Sequence, residues 1–264
     1  MIDAHVHLWL LGQNDCVWPT ADEVAIHRDF VLDELLATLD ANGIDRAVLV
    51  QSQESSADTD WLLDLARSSN RIAGVIGWAD VRDRALVEER AADRLVLGLR
   101  PMVQGREADW YDDPTLEAGF AVMAEHGLVL DALIQPRHLP SLARLAVRHP
   151  KLSIVIDHAA KPGDLPAWHA AIAPLAERGN VQVKLSGLLN EVQVDDVGVV
   201  VGTLLSLFGA QRLVWGSDWP VLTLAGSYAG WVDMARALIP TSGREAVFGG
   251  NAARVYRLQE RVHG

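Results

Sequence analysis

Two imidazoles stand two residues apart near the start of the chain, in the run Ile2-Asp3-Ala4-His5-Val6-His7-Leu8-Trp9. In a β-strand, residues i and i+2 point to one face, so His5 and His7 would reach into the same cavity. Imidazoles paired in this way hold a metal ion or polarise a substrate. Three later apolar runs also end in polar chemistry: Ser153-Ile154-Val155-Ile156-Asp157-His158, Val181-Gln182-Val183-Lys184-Leu185-Ser186-Gly187 and Leu213-Val214-Trp215-Gly216-Ser217-Asp218-Trp219-Pro220. An ionised Asp218 beside histidines serves as a metal ligand, as a general base for water, or as both in succession. The competing role for it is capping the loop that follows.

Other residues bear on substrate binding. Arg100 and Gln104 follow an apolar run, where a guanidinium donates paired hydrogen bonds to a carbonyl or carboxylate, or else forms a rim salt bridge. Lys184 lies within its run, and alternation places it either inside a barrel or against a helix. Among the nine tryptophans, Trp9, Trp78 and Trp219 fall at run ends, with Trp18 and Trp110 in following loops. Such an aromatic rim suits a sugar ring or a planar ligand, although ordinary packing explains any one of them equally well.

The elements that must position these residues follow from periodicity. Apolar runs rich in Val, Ile and Leu cover 2–7, 46–52, 72–80, 96–102, 128–134, 152–158, 181–186 and 213–218. Between them lie helical patterns at 33–41, 59–68, 114–125, 139–148, 166–178 and 196–208, while the charged stretch 82–94 reads as a short or irregular helix. Asn42-Gly43, His126-Gly127, Gly179-Asn180 and Phe208-Gly209 fall where helices should stop. Eight strands alternating with helices predict a single-domain (β/α)8 TIM barrel over 1–264, with one or two extra helices across 243–258 broken at Gly249-Gly250-Asn251. In such a barrel the active site lies at the C-terminal ends of the strands, next to His5, His7, His158 and Asp218. His126 and His149 close helices just before a strand and belong to the opposite face or to C-terminal capping.

Composition narrows the partners. A net charge of -12 argues against nucleic acid and anionic membrane surfaces. No apolar run approaches the ~18 residues of a spanning helix. One cysteine, Cys16, excludes an internal disulfide, and with no signal-like segment before Ile2 the expected compartment is the cytoplasm. Thirty-five acidic residues are compatible with a monomer or a homodimer.

His5-x-His7, Ile156-Asp157-His158, Lys184-Leu185-Ser186-Gly187-Leu188, Gly216-Ser217-Asp218-Trp219-Pro220 and Gly250-Asn251-Ala252-Ala253-Arg254 together resemble the amidohydrolase superfamily. With Gly98-Leu99-Arg100-Pro101-Met102-Val103-Gln104 and Arg137-His138-Leu139-Pro140, the chain is similar from end to end to the sugar-lactonase branch of the amidohydrolase 2 family, the L-fuconolactonase and L-rhamnonolactonase-like proteins. The resemblance implies His5, His7, His158 and Asp218 as catalytic residues, and a small sugar lactone as substrate. It also implies either one Zn²⁺ on His5, His7 and Asp218 or no metal at all. The bridging Lys or Glu of binuclear members is missing, for Arg100 stands there and strand five offers Asp131. Asp218 would deprotonate water, with His5, His7, His158 and Arg100, or a metal, stabilising the oxyanion. Decarboxylation, pyrone or muconolactone hydrolysis, and non-catalytic sugar-acid binding are the alternatives; similar decarboxylases need a histidine on strand five.

Overall fold

The computed structural model describes residues 1–258, so the last six residues of the domain expected over 1–264 lie outside the described residues. Eight strands run in chain order: β1 (Ile2–Val6), β2 (Arg46–Val50), β3 (Ile72–Gly77), β4 (Val96–Leu99), β5 (Val129–Ala132), β6 (Ile154–Ile156), β7 (Val181–Leu185) and β8 (Leu213–Trp215). Each pairs in parallel with the next. Just past β8 the chain meets the end of β1, where Asp218 N donates to His5 O at 2.9 Å and His7 N to Trp219 O at 2.8 Å. The fold is a (β/α)8 TIM barrel, and the residues that bring its ring of strands together carry the candidate chemistry.

All eight expected strands form, but their ladders stop short of the polar run ends. There the backbone leaves extended geometry: His158, Ala159, Ala160 and Lys161 have φ of 50, 51, 62 and 54°. Asp218 stands at φ 63°. For residues with a Cβ this left-handed region is strained, and such strain gathers at functional sites.

The helices follow the amphipathic stretches. Leu139–Arg148 forms as read, and Leu32–Ala41, Ser56–Ser68, Leu165–Ala176 and Val197–Phe208 differ only at their ends. The stretch 114–125 is a 3-10 turn, Pro114–Leu116, running into the helix Glu117–His126. Within the charged stretch, Arg84–Ala92 is a short regular helix, started by Asp83 accepting from Ala85 N and Leu86 N. Tyr228–Leu238, absent from the sequence reading because Gly230 and the preceding loop obscure its start, completes the eighth unit. At the chain's end, Thr241–Glu245 and Asn251–Val255 flank the π-helical segment Ala246–Gly250, which supplies the expected break.

Two apolar clusters result. The larger seals strands against helices. The smaller joins Val48, Val50, Val129, Val155 and Val214 with Ala252, Val255, Tyr256 and Leu258, so the end of the described chain plugs the barrel.

Candidate active site

His5 lies within β1, and His7 follows it by one residue beyond the strand. The expected i, i+2 convergence holds: their Nε2 atoms are 3.1 Å apart, and Asp218 Oδ1 lies 3.6 Å from His5 Nε2 and 3.3 Å from His7 Nε2. The His158 ring packs edge-on against His5 at 4.7 Å between centroids. Gly187 permits this crowding, because a Cβ there would stand 2.6 Å from His158 Nδ1 and 3.0 Å from Asp218 Oδ2.

Hydrogen bonds set what each ring presents. His7 Nδ1 sits 2.8 Å from the Val50 carbonyl, which only accepts, so Nδ1 carries the proton and a neutral His7 shows a lone pair at Nε2. Lys184 Nζ lies 3.1 Å from His5 Nδ1 and donates to it. His5 Nε2–H then donates to His7 Nε2, and the bonds form one chain from Lys184 to Val50. His158 Nδ1 pairs with Ser186 Oγ at 3.0 Å, and Nε2 makes no hydrogen bond among the described residues.

Beneath His5 the barrel interior is ionic. Lys184 contacts Asp131 at 2.5 Å and Asp157 at 2.9 Å, with all three side chains fully buried. Tyr256 OH donates to Asp131 Oδ1 at 3.0 Å. Arg100 Nη1 stands 3.5 Å from Asp157, Nη2 donates to the Gln51 carbonyl, and Nε is buried without a partner. Burial lowers the Lys184 ammonium's pKa, but Asp131 and Asp157 outweigh it and keep the group charged. Burial likewise pushes Asp157 up, and Lys184 and His5 more than reverse this. Asp131 is raised by burial. His5 is held well below the ordinary imidazole range by burial and then by Lys184, and burial also lowers His158. Asp218 is pushed up by burial, yet the fields of His158, His7 and His5 hold it low and ionised. Because His5 and His158 are neutral near pH 7, less of that field remains there, and Asp218 keeps more basicity than charged rings would leave.

These groups meet at a pocket of about 310 Å³ whose lining includes His7, His158, Asp218, Arg100 and Gln104, a volume that suits a small ligand. Four residues expected to bind substrate lie elsewhere. Lys184 is fully buried under His5 because alternation turns it inward onto two carboxylates. Trp9 is buried against Trp18 and Phe30 and donates to the Arg28 carbonyl, and Trp219 packs edge-on against Phe30. Trp78 lines a neighbouring cleft of about 590 Å³, whose arginines pair with acids as Arg106 does with Glu54 and Arg82 with Asp113. Trp18 does line the pocket. Sequence reading assigned no role to Asp157, although it stands beside His158 in a quoted motif, nor to Ser52 and Lys161, or Asn190 and Glu191 of the short helix Leu188–Glu191, which line the pocket.

The residues fit a metal. Tetrahedral Zn²⁺ with bonds of ~2.0–2.1 Å separates its ligand atoms by ~3.3 Å. The separations here are 3.1, 3.3 and 3.6 Å. In the bond chain above, His5 Nε2 carries a proton, so ligation through that atom would move the proton to Nδ1, which Asp157 Oδ1 faces at 3.5 Å. His5, Asp157 and His158 form a second candidate cluster that shares His5.

The amidohydrolase family model matches residues 2–258. An L-fucono-1,5-lactonase of Burkholderia ambifaria is 42% identical, the match covering 97% of this chain and 95% of that protein. An L-fucono-1,5-lactonase of Burkholderia multivorans is 35% identical, over 98% of this chain and 96% of the relative. A crystal structure of an amidohydrolase from Burkholderia multivorans with bound zinc superposes with a TM-score of 0.90 at 33% identity, covering 97% of this chain and 98% of that one. Matched along nearly its whole length in sequence and in fold, this chain belongs to the amidohydrolase family of enzymes.

Proposed function

We propose that this chain hydrolyses the ring ester of a sugar-derived lactone to the aldonic acid, with Asp218 as general base. The observation that carries this reading is the convergence of His7, His158 and Asp218 at one small pocket, with buried His5 in contact behind them. The two lactonase relatives support the substrate class. Other parts of the lining divide into Lys161, Glu191 and Asn190, which suit hydroxyl groups, and Met102, Leu133 and Val221, which suit a methyl group. A 6-deoxy sugar lactone carries both, so L-fucono-1,5-lactone is the first substrate to test.

Asp218 takes a proton from water as the water oxygen adds to the lactone carbonyl carbon. Negative charge develops on the carbonyl oxygen, where the His158 Nε2–H and the Arg100 guanidinium are the nearby donors. Collapse breaks the bond to the ring oxygen, which takes the proton from Asp218 and becomes a hydroxyl. The leaving group stays tethered, so no covalent nucleophile is required. Cys16 makes a poor one, since its thiol donates to the Trp18 carbonyl and burial raises its pKa. His5, His7 and Asp218 would hold a divalent ion, which when bound would polarise the carbonyl and acidify water. Decarboxylation loses its expected ligand, for β5 carries Asp131 and His158 follows β6.

Proton release is to be measured with L-fucono-, L-rhamnono-, D-galactono- and L-arabinonolactone, with and without a chelator. Turnover on at least one is expected, falling by ~10²–10⁴-fold in Asp218→Asn. Silence across the panel would overturn the lactone reading, and near-parent turnover by the variant would overturn the base. Loss on chelation with recovery by Zn²⁺ would make the first cluster a metal site.

A further inference from the structure

We infer that the opposite end of the barrel carries a second binding site, for a small organic phosphate with an apolar body. A pocket of about 610 Å³ opens there, lined by Arg46, Arg236 and Arg244. Arg46 begins β2, whereas Ser52, two residues past that strand's end, lines the catalytic pocket. At ~3.3 Å per residue the two sites are ~20 Å apart along the strand.

The three guanidinium groups share one pocket, and like Arg137, Arg212 and Arg254 they have no carboxylate partner among the described residues. With 35 acidic residues against 23 basic ones, arginines on the helical shell find carboxylates readily, as Arg71 does with Asp40 and Arg144 with Asp112. Among the described residues none of the three pocket arginines has an ion pair. Arg236 donates only to Met1 Sδ at 2.8 Å, and Arg244 Nε to the Ile239 carbonyl at 3.1 Å. Arg46 makes no side-chain hydrogen bond among the described residues, and its Nε is buried. Two acids share the lining: Asp45 is engaged by the Met1 amine, and Glu245 pairs with none of the arginines.

Between the arginines the wall is apolar and open. Ile2 and Phe248 line it, and Gly249 and Gly250 leave it without side chains. A Cβ on Gly249 would meet Ile2 at ordinary contact distance, so the glycine leaves space rather than avoiding a clash. Guanidinium forks match phosphate oxygens in pairs, and a phosphate monoester offers three terminal oxygens with a dianionic charge. Three forks supply more donors than one carboxylate can accept, which favours phosphate. The apolar wall calls for a ligand with a hydrophobic or aromatic body.

The test is isothermal titration of the full chain with phenyl phosphate, inorganic phosphate and benzyl alcohol, in a buffer free of phosphate and sulfonate. Phenyl phosphate is expected to bind one to one with Kd below ~1 mM, at least tenfold tighter than inorganic phosphate, and benzyl alcohol not measurably. Arg236→Gln/Arg244→Gln should weaken it by at least tenfold while lactone turnover stays at the parent level. Exposed Arg236→Glu alone is a second variant with little risk to folding, and should weaken binding several-fold. Absence of binding by the parent, or undiminished binding by folded variants, would overturn the site. Equal affinity for inorganic phosphate would overturn the apolar body. None of these readouts depends on the substrate assigned to the catalytic pocket.

Discussion

Replacing Lys184 with Met tests whether the ionic layer under the histidines is charged as described. Met is close in length and apolar, so the change removes a charge and leaves little cavity. Asp131 then keeps only the Tyr256 hydroxyl, while Asp157 keeps Arg100 at 3.5 Å. Removing one partner of a buried ion pair costs about 3–5 kcal/mol, because the remaining charge is stranded. Asp131 can instead take a proton. Keeping a carboxyl neutral at pH 7 against a solution pKa of ~3.9 costs ~4 kcal/mol, which sets a ceiling on its share. Urea unfolding at pH 7 should therefore show a loss of about 3–4 kcal/mol, shrinking toward pH 5 as protonation becomes easier. Adding Asp131→Asn should recover most of it. A loss below about 1 kcal/mol at pH 7, or a loss that the second substitution leaves unchanged, would refute the charge assignment.

Gly187→Ala should lower kcat by ~10²-fold, since its Cβ would stand 2.6 Å from His158 Nδ1 and displace the ring. Gly43→Ala carries similar backbone strain at φ 65° with no atom within 4 Å, so it should lose stability but keep kcat; equal activity losses would refute the steric reading. Asp3 and Asp58 should lower stability as pH rises from 5 to 8, opposed by His5 and His158, which stay neutral in the fold while the unfolded chain protonates them at the acid end of that range. Burial raises Asp3 to about 6 and Asp58 to about 7, so the fold holds protons that the unfolded chain has released. Their contribution is complete below the unfolded value and is lost as pH rises through the folded ones, by up to ~1.4 kcal/mol per pH unit for each group. Asp157 and Asp218, held low, contribute stability that is lost as pH falls below the unfolded carboxyl range. Asp58→Asn should remove the Asp58 part of this loss, so a stability difference between variant and parent that stays constant from pH 5 to pH 8 would contradict the raised Asp58 value.

The barrel and its four central residues were legible because both are local signals. Eight apolar runs mark eight strands, and His5, His7, His158 and Asp218 sit within or just beyond the runs that bring them to one face. Lys184 was not legible, since its neighbours decide which way a lysine in a strand points. Only the barrel's register brings Asp131 of β5, and Asp157 just past β6, to the height of Lys184 on β7. The tryptophans misled for a related reason: a run end fixes where the backbone emerges, while Phe30, from a loop, decides that Trp9 and Trp219 turn into packing. Lys161 follows a left-handed turn, and Asn190 and Glu191 sit on the one-turn helix Leu188–Glu191, which is too short to leave a periodic signal.

The register that hides Lys184 in the sequence also divides the barrel's interior. Near the plug, Val129, Val155 and Val214 pack with Tyr256, an apolar arrangement that stabilises without constraining any charge. Above it, Lys184, Asp131, Asp157, His5 and Arg100 form a layer that packed apolar side chains would replace at little or no loss of stability. What apolar residues could not supply is the proton order along Lys184, His5 and His7, which determines whether each imidazole shows an N–H or a lone pair toward Asp218. The ionic layer therefore acts on the site through hydrogen-bond polarity rather than packing. It follows that Lys184→Met combined with Asp131→Asn, even where it restores stability, should leave turnover impaired, because the donor to His5 Nδ1 is still missing.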